Sequence, residues 1–133
     1  MHASFRKYEK LCSKKYIDNL FKFGESFVVY PLKIYCNTAP YKSITGTQVV
    51  FAISNRNFRK AHQRNLIRRR MREAYRKNKH IISPPLQPLN FTLNIGFYYF
   101  SNKIENYSCI EQAMKKALLV INDYYSNHIA KEK

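Results

Sequence analysis

The stretch that decides the fold reads RNFRKAHQRNLIRRRMREAYRKNK, residues 56–79. Its eleven lysines and arginines stand against one acid, Glu73, so it supplies a formal +10 of the chain's net charge of +16. On a helix over residues 61–78, four apolar side chains share one face at the spacing of a core-facing stripe: Ile67, Met71, Ala74 and Tyr75. A solvated charge run or a disordered tail has no reason to keep such a stripe. The pattern therefore predicts a helix packed on a core.

The opposite face of this helix is polar and basic, with Arg68 beside a row that consists of Asn65, Arg69, Arg72 and Arg76. Planar guanidinium groups fork onto phosphates and stack on bases, which ammonium groups do less well. The row therefore predicts a phosphate-contacting helix. Glu73 lies one turn from Arg69 and from Lys77, and we expect it to form a surface pair that spaces the helix.

Length and composition favour one folded, basic domain. The 133 residues are enough for one domain with a hydrophobic core and too few for two such domains. Aromatic residues make up 15% of the chain, which a disordered basic chain would lack. Nucleic acid explains the charge and the aromatic excess together better than an acidic protein or a membrane does. We expect a single nucleic-acid-binding domain over residues 1–133. The basic and aromatic residues 1–12 could be mobile, or Phe5, Arg6 and Tyr8 could dock onto a ligand.

The three cysteines, Cys12, Cys36 and Cys109, are odd in number and far apart, which argues against a disulfide framework or a zinc site. No apolar run approaches the length of a membrane span, and the N-terminus lacks the apolar core of a signal peptide. The sequence therefore predicts a reduced, soluble, cytoplasmic protein.

The first half of the chain reads as a helix followed by β-rich segments. Ser13 is the predicted N-cap of the helix, and Gly24 lies near its end. Residues 26–36 and 47–54 are the β-rich segments, and Pro31 could divide the first into two strands. Alternation places one set of side chains on a common face: Val28, Tyr30, Leu32 and Ile34. Residues 37–46 are predicted to be a loop.

The second half reads as a loop, a strand and a helix. Three prolines within residues 83–88 predict an irregular loop, and residues 91–100 a strand with its odd positions buried. Ser108 and Glu111 form a capping-box pattern that opens the last helix. The order indicates an α+β domain with helices packed on a sheet. Three helices cannot cover both faces of it, so part is expected to stay open as a groove, near Lys33, Tyr35, Ala52 and Ser54.

The segment RNLIRRRMREAYR, which begins at Arg64, resembles the signature of the bacterial ribonuclease P protein family: R-N-R, then K-R, then R-E-A-F/Y-R. Arg64 and Asn65 match the first two positions, Arg68 and Arg69 the basic pair, and residues 72–76 the end. The resemblance extends upstream through FAISNRNFRKAHQ and KLCSKKYIDNLFKFGESF, and downstream to IEQAMKKALL. Most of the chain therefore resembles this family.

One position departs from the family pattern. Leu66 stands where the signature has its third residue, an arginine, and the neighbouring Arg70 could cover the loss of that cation. The resemblance implies an α-β-β-β-α-β-α fold with a mostly antiparallel sheet. It also implies an unusual left-handed crossover around the basic helix.

The resemblance further implies a function. The chain would be the non-catalytic protein component of ribonuclease P, an endoribonuclease in which the RNA performs the hydrolysis with bound Mg²⁺. Its partners would be the ribonuclease P RNA and precursor tRNA, whose single-stranded 5′ leader lies in the groove, and the protein itself would be monomeric. Phe21 and Tyr35 match aromatic positions of the family's leader groove, although Phe21 could equally be a core residue. RNA contacts are expected from Arg56, Arg59, Lys60, Arg64, Asn65, Arg68, Arg69, Arg72 and Arg76.

Three other classes of protein compete with a ribonuclease P protein component as the function of this chain. A structural ribosomal or ribosome-assembly protein would share the charge and the aromatics and stays an alternative. A protein-only nuclease is disfavoured because the eight acids are dispersed, and His62 among arginines more often contacts RNA or solvent than acts as a base. A DNA-binding helix is disfavoured because no dimerising segment or helix-turn-helix spacing accompanies it.

Overall fold

The computed structural model describes residues 14–40, 46–82 and 91–132. The elements run in the order α-β-β-β-α-β-α, which confirms the order that the family resemblance implies. The predicted mobile segment 1–12, the cap Ser13 and the proline-rich segment 83–88 lie outside the described residues. A single 3₁₀ turn, Lys79–Ile81, follows the second helix. The elements are α1 (Lys14–Phe23), β1 (Glu25–Val29), β2 (Leu32–Pro40), β3 (Gly46–Ile53), α2 (Ala61–Asn78), β4 (Phe91–Tyr99) and α3 (Tyr107–Glu132).

The four strands form one sheet in the order β1-β2-β4-β3. The β1–β2 and β2–β4 pairs are antiparallel, and the β3–β4 pair is parallel, so the sheet is mixed and mostly antiparallel, as expected. Because parallel neighbours need a crossover, α2 lies within the connection from β3 to β4. The left-handedness of this crossover stays a prediction.

The core lies between one face of the sheet and the helices α2 and α3. The four residues of the predicted stripe on α2 are all buried, which confirms the assignment of its faces. They pack in one cluster with buried side chains of β2, β3 and β4, such as Ile34, Val49 and Phe97. Helix α3 adds Ile110, Ala113, Met114, Ala117, Leu118 and Ile121 to the same cluster. The basic helix is therefore anchored through its apolar side.

The face assigned to the first β-rich segment is wrong for its first half. Tyr30 and Pro31 form a turn between β1 and β2, and Phe27 pairs with Ile34 in the resulting hairpin. Because the turn reverses the chain, alternation does not continue across it, and cross-strand partners share a face. Phe27 therefore packs against the core, whereas Val28 is exposed.

Two predicted boundaries also need correction. Residues 37–40 continue β2 and Gly46 begins β3, so the predicted loop 37–46 is largely strand within the described residues. The N-cap of α3 is Asn106 and not Ser108, since the Cys109 backbone N–H donates to Asn106 Oδ1 at 2.8 Å. Asparagine caps a helix as well as serine does, and Ser108 lies inside the first turn.

Candidate nucleic-acid interface

Helix α2 presents its basic row to solvent. Asn65, Arg69 and Arg72 are exposed, and Arg68 is half-buried. Arg68 Nη1 donates to Asn65 Oδ1 at 3.2 Å, which aligns these two side chains along the helix. Because the opposite side of the helix is fixed in the core, the row is held as a rigid unit that can face a polyanion.

Arg64 differs from the rest of the row because its guanidinium group braces the loop before α2. Its Nη1 donates to the backbone oxygen of Phe58 at 2.7 Å and to that of Arg59 at 2.8 Å. Phe58 is buried, so this loop is anchored from two sides. The brace leaves three predicted RNA contacts exposed on the loop: Arg56, Arg59 and Lys60.

Arg70, which could cover the cation missing at Leu66, has a contact within the protein. Its Nη1 donates to the backbone oxygen of Glu105 at 2.6 Å, so it ties α2 to the segment between β4 and α3. Leu66 itself is half-buried. Arg70 would therefore have to share its guanidinium between this carbonyl and an RNA phosphate.

Glu73 pairs with Arg76 and with Lys77, of which Lys77 is one of the two predicted partners and Arg76 is not. Arg76 Nε donates to Glu73 Oε2 at 3.0 Å, and Lys77 Nζ lies 3.9 Å from Glu73 Oε1. The hydrogen bond from Arg76 lowers the pKa of the Glu73 carboxyl and raises that of the guanidinium. Both side chains are substantially exposed, so the pair adds little stability. Arg76 would have to share its guanidinium between Glu73 and a phosphate.

The face of the sheet away from α2 and α3 forms an open groove floor. Strand register gives its two rows of neighbouring side chains: Lys33–Tyr98–Ala52 and Tyr35–Gly96–Val50. Except for Gly96, which α1 covers, these residues are only half-buried. This arrangement agrees with the open aromatic and polar surface predicted around Lys33, Tyr35 and Ala52. Alternation along β4 places Tyr98 on this side of the sheet. Only the register between β2 and β4 brings it beside Lys33.

Phe21 and Tyr35 meet on this floor. Their ring centroids lie 4.8 Å apart with the planes at 68°, an edge-to-face pair. Lys33 Nζ lies 5.2 Å from the centroid of the Tyr35 ring. Leu20 is the fully buried residue of α1, and Phe21 stays half-buried. The structure therefore brings together both predicted groove residues and adds a cation beside them.

Gly96 sets the height of Phe21 above the sheet. A Cβ at this position would lie 2.9 Å from Phe21 Cζ and 3.1 Å from Leu20 Cδ2. We expect Gly96→Ala to displace the Phe21 ring and lower the free energy of unfolding by about 1 kcal/mol, as overpacking does. Chemical denaturation measures the loss. Repeating the substitution in a Phe21→Leu background should reduce it, and an unchanged loss there would contradict the contact with Phe21.

The described part of the chain supplies no metal cluster and no membrane span. Within it, no group of three or more His, Cys, Asp or Glu side chains could hold a metal ion. None of its helices has the length and apolarity needed to cross a bilayer. Cys36 and Cys109 are free thiols, and burial raises the pKa of Cys36 to about 12. Cys12 lies outside the described residues.

Comparison with known proteins agrees with this architecture. The family model for Ribonuclease P matches residues 5–119. The ribonuclease P protein component of Porphyromonas gingivalis is 32% identical over 115 residues, covering 86% of this chain and 84% of that protein.

Two solved structures share the fold at low sequence identity. The RNase P protein of Staphylococcus aureus is 18% identical with a TM-score of 0.62, covering 85% of this chain and 94% of that one. The RNase P protein from Thermotoga maritima is also 18% identical with a TM-score of 0.62, covering 84% and 96%. The family model and the Porphyromonas relative show that this chain belongs to the ribonuclease P protein family.

Proposed function

We propose that this chain binds the catalytic RNA of ribonuclease P through α2 and the loop before it, and holds the 5′ leader of precursor tRNA in the groove. The RNA would cleave the phosphodiester bond, and the protein would contribute binding and position in the cytoplasm. The observation that carries the proposal is the separation of two surfaces on one domain. The arginine row lies on α2, which packs on one face of the sheet, and the aromatic groove floor lies on the other face.

The arginine row suits a structured RNA. Its exposed guanidinium groups can each neutralise a phosphate and release a counterion, so binding should weaken steeply as salt rises. Arg69 and Arg72 are fully available for such contacts, while Arg64 and Arg76 already have protein partners. We therefore assign the main phosphate contacts to Arg68, Arg69 and Arg72 and a supporting role to the loop cations.

The groove suits an unpaired strand. Bases stack on aromatic rings with about 1–3 kcal/mol per base where the ring is fully engaged, and with little sequence preference. Phe21, Tyr35 and Tyr98 supply rings, and Lys33 supplies a cation for the phosphate between them. A leader of precursor tRNA has this chemistry, and a folded mature tRNA lacks the strand that the groove would hold.

The Mg²⁺ that the family resemblance implies is proposed to belong to the RNA, where it would assist hydrolysis. The described protein residues do not fit a metal centre, because their carboxylates and histidines are not grouped. The protein's own side chains would bind phosphates, stack bases and fix the leader relative to the RNA.

Reconstitution with a bacterial ribonuclease P RNA tests the proposal. Processing of precursor tRNA at low Mg²⁺ should be faster with the protein than with RNA alone, and the protein alone should not cleave. Binding of precursor tRNA should exceed that of mature tRNA by about tenfold, the equivalent of one stacked base. No stimulation would favour a structural ribosomal or ribosome-assembly protein. Cleavage that persists after all RNA is removed would favour a protein-only nuclease.

A further inference from the structure

A further aromatic residue, Phe100, follows Tyr98 just past the end of β4. Tyr98 and Phe100 are spaced two residues apart, about 6.6 Å on a strand, so the two rings can serve separate bases. The Phe100 backbone N–H donates to Pro31 O at 3.1 Å, which extends the pairing with β2 past the end of β4. Tyr30 lies beside it, with ring centroids 5.6 Å apart and planes at 81°. These two residues form a second aromatic pair, the Tyr30–Phe100 pair.

The Tyr30 ring is exposed but held in place. Tyr30 lies at the tip of the β1–β2 hairpin and is 53% exposed. The hydroxyl donates to Glu105 Oε1 at 2.9 Å and lies 2.9 Å from the Oγ of buried Ser101. A ring fixed in this way loses little conformational entropy when a ligand stacks on it. The tether therefore prepares an exposed surface for binding.

The segment that holds Tyr30 is itself rigid and connected to α2. The buried Tyr99 hydroxyl donates to Lys103 O at 2.6 Å and accepts from the Glu105 backbone N–H at 2.9 Å. Arg70 donates to the backbone oxygen of the same Glu105. The position of Tyr30 is thereby fixed relative to the RNA-anchoring helix.

Basic groups lie on both sides of the pair. Asn57 Nδ2 donates to the Phe100 backbone oxygen at 3.3 Å, so the basic loop, in which the preceding residue is the exposed Arg56, contacts Phe100. Lys33 lies on the groove side, two residues beyond Pro31 on β2. Glu105 is the acid at this site, and its carboxylate accepts a hydrogen bond from the Tyr30 hydroxyl, so the carboxylate lies at the edge of the ring and not over its faces. The pair thus lies between the groove and the basic loop.

We propose that the Tyr30–Phe100 pair is a second nucleotide-binding subsite, which takes an unpaired nucleotide of the precursor-tRNA leader between the basic loop and the groove. This inference rests on the proposed function. Glu105 and Ser101 act as positioning residues through Tyr30. The subsite lies nearer than Tyr35 to the basic loop before α2, so the two positions take different nucleotides of the leader.

The test uses the protein reconstituted with ribonuclease P RNA and precursor tRNAs whose leaders grow one nucleotide at a time. Tyr30→Ala should weaken precursor binding by about tenfold, the loss of one stacked base. Tyr30→Phe keeps the ring and should retain most of the affinity. The Tyr30→Ala loss should begin at a different leader length from the loss caused by Tyr35→Ala, because the two rings take different nucleotides. Tyr124→Ala, at an exposed tyrosine of α3, is the matched control and should leave precursor binding unchanged.

The outcomes separate this inference from the proposed function. If wild-type protein gives precursor no advantage over mature tRNA at any leader length, the leader role itself fails. If Tyr35→Ala removes that advantage but Tyr30→Ala does not, the subsite is refuted while the groove stands. Equal losses with Tyr30→Ala for precursor and mature tRNA, or weaker binding of the catalytic RNA, would assign the pair to another contact. Equal losses with Tyr30→Phe and Tyr30→Ala, with lowered thermal stability, would make Tyr30 a purely structural residue.

Discussion

Met71→Asp is expected to abolish cooperative folding of this protein. Met71 is 0% exposed and lies in the cluster that joins α2 to the sheet and to α3. An aspartate there would bury a charge without a partner, which costs several kcal/mol even after the pKa shifts. Because the total stability of a small domain is about 5–15 kcal/mol, this loss removes most or all of it. Thermal unfolding followed by circular dichroism checks the result.

A matched substitution controls for the introduced charge. Leu119→Asp makes a comparable apolar-to-acid change on α3, at a side chain that is 52% exposed. It should leave the melting curve close to that of the wild type. Cooperative unfolding of Met71→Asp at a wild-type temperature would mean that this face of α2 does not support the core.

Arg68→Ala combined with Arg72→Ala should reduce affinity for ribonuclease P RNA with little loss of fold. Neither side chain belongs to the buried apolar stripe, since Arg72 is exposed and Arg68 hydrogen-bonds to the exposed Asn65. Charge-assisted contacts to phosphate are worth enough that each arginine should contribute about tenfold in Kd. The slope of log K against log salt should fall by about two, one for each lost phosphate contact. Binding titrations over a salt series measure both effects.

Lys115→Ala with Lys116→Ala is the matched control, because it removes the same charge from exposed positions on α3. This double variant should retain most of the affinity if the binding surface is local to α2. A similar loss in both double variants would indicate that only the overall charge matters. A fall in thermal stability of the Arg68 and Arg72 variant, with RNA affinity unchanged, would contradict the assigned faces.

The groove was only partly predictable from the sequence. Alternation along each strand places Tyr35 and Tyr98 on the sides they occupy. The pairing of Lys33 with Tyr98 depends on the register between β2 and β4, which are more than fifty residues apart in the chain. For Phe21 the sequence allows a groove or a core position, and only the tertiary structure places its ring half-buried over Gly96 and beside Tyr35. Local patterns give the side of a strand, but contacts between distant segments decide which side chains meet.

The partners of polar side chains were the least predictable part. Arg64, Arg70 and Arg72 have the same chemistry, yet one braces a loop, one binds the Glu105 backbone and one is exposed. Helical periodicity cannot distinguish them, because the carbonyl groups they reach belong to segments without regular secondary structure. The same reason explains why Tyr30, placed on an apolar face by an alternation that the turn interrupts, is an exposed ring tied to Glu105.

The sequence by itself determined the basic helix and its buried stripe, and its resemblance to the ribonuclease P protein family implied the full element order. The helix and its stripe follow from residue spacing within a single element, where geometry repeats every few residues. The tertiary structure alone decided the hairpin at Pro31, the strand order, the meeting of Phe21 with Tyr35 and the tether on Tyr30. These depend on pairing between distant segments, and their energy is distributed over many contacts that no local pattern encodes.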